Sequence, residues 1–142
     1  MIRQAGLLAA GAILLGILVN AVHPRGVPLF KPLPPRSADD PTYITLEAAR
    51  ERFREGNVLF LDVRKPDEYA KGHIEGAWNV SATDFDRAYP PVARFVAVAP
   101  EVVLYCESRR CTLAADVAKR LQGLGFSRVK IFEGGWEEWS RP

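Results

Sequence analysis

The chain is predicted to fold as one α/β domain, with a central parallel sheet flanked by helices and one hydrophobic helix ahead of it. Three observations predict this. Apolar runs rich in β-branched residues recur at 58–61, 102–105 and 129–132, the pattern of strands buried on both faces. Helix-like segments lie between them, and strands alternating with helices pair in parallel through crossovers. About 100 residues follow position 41, enough for a single core.

Tyr43 and Ile44 form a short strand. Thr45 can cap a helix over 46–54, which Gly56 ends. A buried strand follows at 58–61. Residues 66–70 read as a helical turn with Pro66 at its first position. A further strand is expected at 77–80. Two short helices, 85–89 and 92–97, are separated by Pro90 and Pro91. The strand at 102–105 leads to an amphipathic helix over 112–121. That helix carries Leu113, Val117 and Leu121 on one stripe, and Gly123 and Gly125 stop it. After the strand at 129–132, Gly134-Gly135 reads as a turn and 136–140 as a last helical turn.

The N-terminal part is a separate object. Residues 5–22 hold no charge and are rich in Leu, Ile, Ala and Gly. As a helix they would be about 27 Å long, close to the hydrocarbon thickness of a bilayer. Residues 1–23 are therefore expected to be a membrane anchor or a signal segment. Val19-Asn20-Ala21 offers small residues for cleavage, and a buried soluble helix fits poorly because no polar face is visible. Arg25, Lys31 and Arg36 lie beyond the segment, so the positive-inside count does not favour export. A short N-terminal hydrophobic segment commonly leads its domain outward all the same. The expectation is a single-pass protein with its domain outside the cytoplasm. Residues 24–41 hold six prolines and form an extended linker, and the domain occupies 42–142.

Net charge is +2, with no Lys/Arg block, which argues against nucleic acid as a partner. Two cysteines cannot make a disulfide framework. Without a Cys-x-x-Cys motif or a second His/Cys cluster, no metal is expected, and no cofactor motif stands out. Both cysteines fall in one loop. Cys106 follows the apolar strand at 102–105. Then come Glu107, Ser108, Arg109, Arg110, Cys111 and Thr112, where a helix begins. In an open parallel sheet reactive groups gather beyond the carboxyl ends of the strands. Successive loop N–H groups and the two arginines would favour a thiolate or hold an anion. The bland alternative makes Cys106 a small buried hydrophobe at a strand end.

Five stretches stand out: Leu61-Asp62-Val63-Arg64, Pro66-Asp67-Glu68-Tyr69, the run from Gly72 to Asn79, the Tyr105-Cys106 loop, and Glu133-Gly134-Gly135-Trp136 with Trp139. Together, in this order, they resemble the rhodanese-like domain family. The resemblance spans roughly residues 42–141. It implies a parallel α/β fold and a sulfurtransferase in which Cys106 accepts sulfane sulfur as a persulfide. The substrate would then be a small sulfur compound or a protein thiol. Asp62 and Arg64 would brace the loop or form a structural ion pair. His73 reads as a hydrogen-bonded turn residue, and Trp78, Trp136 and Trp139 as packing.

The loop departs from the family pattern. Arg109 takes the usual Gly place and Cys111 the usual Arg place, while Thr112 keeps the hydroxyl. Ser81 stands near a customary Pro. These changes bear on thiosulfate preference more than on thiol chemistry. The loop also looks short for the family's phosphatase relatives. Five residues from Cys106, Cys111 is either a resolving thiol or a residue packed into the helix, and the sequence leaves both open. Two alternatives accompany the sulfurtransferase reading. One is a thiol–disulfide redox protein using Cys106 and Cys111; the other is a non-catalytic binding module.

Overall fold

The computed structural model describes residues 42–142. The hydrophobic segment and the proline-rich linker lie outside the described residues. Among the described residues, no helix is long and apolar enough to cross a membrane.

Five strands form one sheet. They are β1 (Tyr43–Ile44), β2 (Val58–Asp62), β3 (Trp78–Asn79), β4 (Glu101–Tyr105) and β5 (Val129–Phe132). The order is β1-β5-β4-β2-β3, and every pairing is parallel. Among the described residues, five helices run between the strands and a sixth follows the last: α1 (Leu46–Glu55), α2 (Pro66–Lys71), α3 (Phe85–Ala88), α4 (Ala93–Val98), α5 (Leu113–Gly123) and α6 (Gly135–Trp139). A short 3-10 turn, Ala82–Asp84, precedes α3.

The register brings the strand ends level. Asp62 lies opposite both Asn79 and Tyr105, and Tyr105 lies opposite Phe132. Whatever follows β2, β4 and β5 therefore emerges at one edge of the sheet.

Side chains alternate across a strand, so β4 feeds two cores. Val102, Leu104 and then Cys106 join Val96, Ala114, Val117 and Leu121 on one face. Val103 and Tyr105 join Ala49, Phe60, Ile74 and Phe132 on the other, with Trp136 and Trp139 packed at its margin. Leu104, Val117 and Leu121 are almost wholly buried. Each such side chain contributes about 1.5–3 kcal/mol by leaving water.

Local chemistry explains several boundaries. The Thr45 hydroxyl accepts from the Ala48 N–H, and Gly56 closes α1 by donating to the Arg52 and Phe53 carbonyls. Three expectations need correction. Gly123 lies within the last turn of α5, because the Leu124 N–H and not the glycine's donates the closing bonds, to the Arg120 and Leu121 carbonyls. The helix expected over 112–121 runs from Leu113 to Gly123, with Thr112 just outside it. Gly134 lies in a turn with Glu133, but α6 starts at Gly135 and not at Trp136.

Candidate active site

The site begins where β2 and β4 end side by side. At the end of β2, Asp62 is fully buried and Arg64 is 3% exposed. Two residues apart in an extended chain, their side chains reach the same side and meet. The guanidinium forks onto the carboxylate, with Nε donating to Oδ1 at 3.0 Å and Nη2 to Oδ2 at 2.6 Å. The Arg64 backbone N–H donates to Oδ1 at 2.9 Å. Such a two-pronged, charge-assisted contact fixes direction as well as distance.

Arg64 has two further partners. Its Nη2 donates to the Gly72 carbonyl at 2.7 Å and its Nη1 to Glu107 Oε2 at 2.8 Å. The Trp136 ring covers the guanidinium, with the centroid 5.3 Å away. Burial works against the positive charge, but hydrogen bonds to Asp62 and Glu107 prevail and hold the Arg64 pKa above its ordinary value. Asp62 and Arg64 thus form an ion pair and also reach the cysteine loop through Glu107.

Asn79 closes the same corner, donating from Nδ2 to the Asp62 and Arg64 carbonyls at 3.0 and 2.9 Å. Beside it, Tyr105 is buried, and its hydroxyl oxygen accepts from the Ile74 N–H at 3.0 Å. Burial, reinforced by the Asp62 charge, pushes the Tyr105 phenol well above its ordinary value of 10.

At the end of β4 the chain enters the cysteine loop, whose root is clamped by α6. The Trp136 N–H donates to the Cys106 carbonyl and the Glu137 N–H to the Glu107 carbonyl, both at 2.8 Å. Gly135 makes this approach possible. Its φ is +64°, and a Cβ there would sit 2.5 Å from the Cys106 carbonyl oxygen.

Cys106 is buried, at 4% exposure, whereas Cys111 is half-buried. The two are joined by a disulfide across a Cα separation of 6.2 Å. The expectation of a free thiolate at Cys106 is corrected for this state, since its sulfur is shared with Cys111. The curl of the loop explains why. The Cys111 N–H donates to the Ser108 carbonyl at 3.0 Å, a turn that brings position 111 back towards 106.

That turn also uses the Cys111 amide, which is therefore not available to an anion. Among the described residues, no backbone carbonyl accepts from the N–H of Glu107, Ser108, Arg109 or Arg110. The arginines divide. Arg109 turns towards acids, with Glu138 at 3.4 Å and Glu133 at 3.6 Å, so its charge is already engaged and not offered to the sulfur. Arg110 is exposed and forms no ion pair among the described residues. Thr112 is exposed as well, and its carbonyl accepts from Ala115 and Asp116. A cleft of about 460 Å³ opens beside the loop, between Ser108, Arg109 and Arg110 and the acids Glu137 and Glu138; Cys106 does not line it.

His73 sits in a turn, with Nδ1 3.0 Å from the Tyr69 carbonyl and its ring stacked on Tyr69. Trp78 stacks on Phe95 and Trp139 packs against Phe53, Phe60 and Phe132. Ser81 is buried and shares a hydrogen bond with Thr83. No group of three His, Cys, Asp or Glu among the described residues could hold a metal ion.

The sequence reading expected Arg64 to brace the loop or pair with Asp62 but missed the Tyr105 hydroxyl, the identity of Glu107 as the brace's partner and the clamp from α6. Only the last left a local signal, in the Gly134-Gly135 pair, separated from the end of β5 by Glu133 alone.

The model of the rhodanese-like domain matches residues 45–142. The chain belongs to the rhodanese-like domain family. Rhodanese-like relatives and structures agree with this. A mitochondrial protein of Schizosaccharomyces pombe, named for thiosulfate sulfurtransferase activity, is 33% identical over 99 residues. That match covers 59% of this chain and 64% of the relative, so the chain spans under two thirds of that relative's length. The human single-domain sulfurtransferase TSTD1 has the same fold, with a TM-score of 0.57 at 23% identity over 69% of this chain and 94% of that one. EanB, in a complex with ergothioneine covalently linked with a cysteine persulfide, superposes with a TM-score of 0.58 at 25% identity. There the match covers 70% of this chain and 26% of EanB.

Proposed function

We propose that this rhodanese-like protein is a sulfurtransferase that carries sulfane sulfur as a persulfide on Cys106, tethered to a membrane by residues 1–23 with its domain outside the cytoplasm. The observation that carries the reading is the position of Cys106. It follows the central strand β4, in a loop whose first four N–H groups after the cysteine donate to no described carbonyl. Unpaired amides at a strand end suit a developing anion. The persulfide on EanB lends support from a protein of the same fold.

The reaction starts from the reduced loop. The Cys106 thiolate attacks the outer sulfur of a donor such as thiosulfate; a new S–S bond forms, the donor's S–S bond breaks, and sulfite leaves. An acceptor thiol or cyanide then takes the outer sulfur and restores the thiolate. Arg64 and Glu107 keep the start of the loop in place and do not touch the sulfur in this scheme. Of the two loop arginines, Arg110 is the one with no ion pair to displace among the described residues.

Thiocyanate formation from thiosulfate and cyanide tests this in the full chain under reducing conditions. The expected result is transfer by the native protein and background rates for Cys106→Ser; undiminished transfer by the variant would refute the assignment. For the tether, the full chain should pellet with membranes and a chain lacking residues 1–23 should not; equal partitioning of both would remove that part of the reading.

One observation favours a second reading. The Cys106–Cys111 disulfide also suits a thiol–disulfide redox protein that needs no sulfur donor. Mass spectrometry of the reduced Cys111→Ser chain after exposure to thiosulfate separates them, because a gain of one sulfur on Cys106 belongs only to the first.

A further inference from the structure

We infer that Cys111 discharges the Cys106 persulfide inside the protein, releasing hydrosulfide and leaving the disulfide, so that turnover consumes a dithiol rather than a single acceptor thiol. The inference rests on the persulfide reading above and adds to it a product, a resolving residue and a class of co-substrate.

The argument starts from the bond present in the structure. A persulfide has an inner sulfur, Cys106 Sγ, and an outer one. A neighbouring thiolate that attacks the outer atom only relocates the cargo. Attack on the inner atom expels the outer sulfur as hydrosulfide and joins the two cysteines. That second route would leave a Cys106–Cys111 disulfide, the bond the loop holds in this structure. The loop therefore adopts a shape in which Cys111 Sγ bonds to Cys106 Sγ, held by the Cys111–Ser108 turn at 3.0 Å and by α6 at the Cys106 carbonyl.

The steps balance. Cys106 thiolate and thiosulfate give the persulfide and sulfite. Cys111 thiolate and the protonated persulfide give the disulfide and hydrosulfide. A dithiol then reduces the disulfide and is itself oxidised to a disulfide. The net change turns thiosulfate and a dithiol into sulfite, hydrogen sulfide and an oxidised dithiol.

Burial sets the point of entry for the reductant. Cys106 is 4% exposed, while Cys111 is half-buried beside the exposed Arg109, Arg110 and Thr112. An incoming thiolate meets the sulfur of Cys111 first, forms a mixed disulfide there and expels Cys106 as the thiolate. Its second thiol then frees Cys111. A protein or small-molecule dithiol fits this sequence, and a monothiol would need two encounters.

The test uses the full chain in detergent, reduced, freed of reductant and kept anaerobic, then given thiosulfate without any added thiol. Native protein should release about one hydrosulfide per chain and end lighter by two hydrogens. Cys111→Ser and Cys111→Ala should each keep one added sulfur on Cys106 and release none. If the native protein keeps its sulfur as the variants do, the persulfide reading stands and internal discharge is overturned. If neither the native protein nor the Cys111 variants take up sulfur, the persulfide reading fails and this inference falls with it.

Discussion

The ends of β2 and β4 lie next to each other and are built in opposite ways. Beyond β2, the Asp62 and Arg64 side chains are buried, and each has its hydrogen bonds inside the protein. Beyond β4, the chain leaves a run of amides without carbonyl partners among the described residues and ties the buried Cys106 to the half-buried Cys111. A strand end whose polar groups are all satisfied internally has nothing left to offer a ligand. The neighbouring end keeps unspent bonding capacity, and that marks it as the place for chemistry. The two are coupled through one contact, from Arg64 to Glu107.

Breaking the closed end should have the largest effect. Asp62→Ala leaves the Arg64 guanidinium buried without its carboxylate, which is expected to cost about 3–5 kcal/mol, read as a lower urea midpoint. A loss below about 1 kcal/mol would mean that Glu107 and Gly72 alone hold the arginine.

Disturbing the open end should cost less in stability and more in rate. Gly135→Ala places a Cβ against the Cys106 carbonyl at a φ of +64°. The expected strain is about 1–3 kcal/mol, with slower sulfur transfer because the loop root must move. Unchanged transfer together with unchanged stability would show that the clamp from α6 has slack.

Tyr105 stands between the two ends and gives the smallest, most pH-specific effect. Its folded pKa is raised, so the phenol contributes stability that is complete below its unfolded value of 10. That contribution is lost as pH rises above 10 towards the raised folded value, because only the unfolded chain sheds the proton there. Tyr105→Phe should therefore flatten the alkaline fall in stability. It should also cost about 1 kcal/mol near neutral pH, since the Ile74 N–H loses its acceptor. Denaturant melts of both proteins between pH 8 and about 11 would check this. Parallel curves would remove Tyr105 as the cause.

Much of the fold was legible because its signals are local. The apolar runs of β2, β4 and β5 need both faces covered, and Thr45, Gly56 and Pro66 mark helix ends by their own chemistry. Helix limits near α3 and α4 came within one residue, with 85–89 and 92–97 expected and Phe85–Ala88 and Ala93–Val98 formed; the limits of α5 were off by up to two. Pro90 and Pro91 interrupt the helical pattern without fixing the outer boundaries.

The site was legible as a place more than as a set of contacts. Cys106 beyond a buried strand followed from hydropathy and chain order. The direction of Arg109 did not, because the acids that hold it, Glu133 and Glu138, lie on a later part of the chain. Nor could sequence alone decide whether Cys111 meets Cys106. That depends on the turn closed by Ser108, and the residue types there permit it without requiring it.

The strand order carries one more consequence. β5 sits between β1 and β4, so the first strand of the sheet pairs only with the last. As the polypeptide leaves the ribosome, β1 has no partner and β4 keeps an open edge until residues 129–132 arrive. α6, which seats the cysteines, comes later still. The two thiols are thus synthesised before the residues that position them. A cell making this protein must shield a naked strand and two unpaired sulfurs for the same short interval.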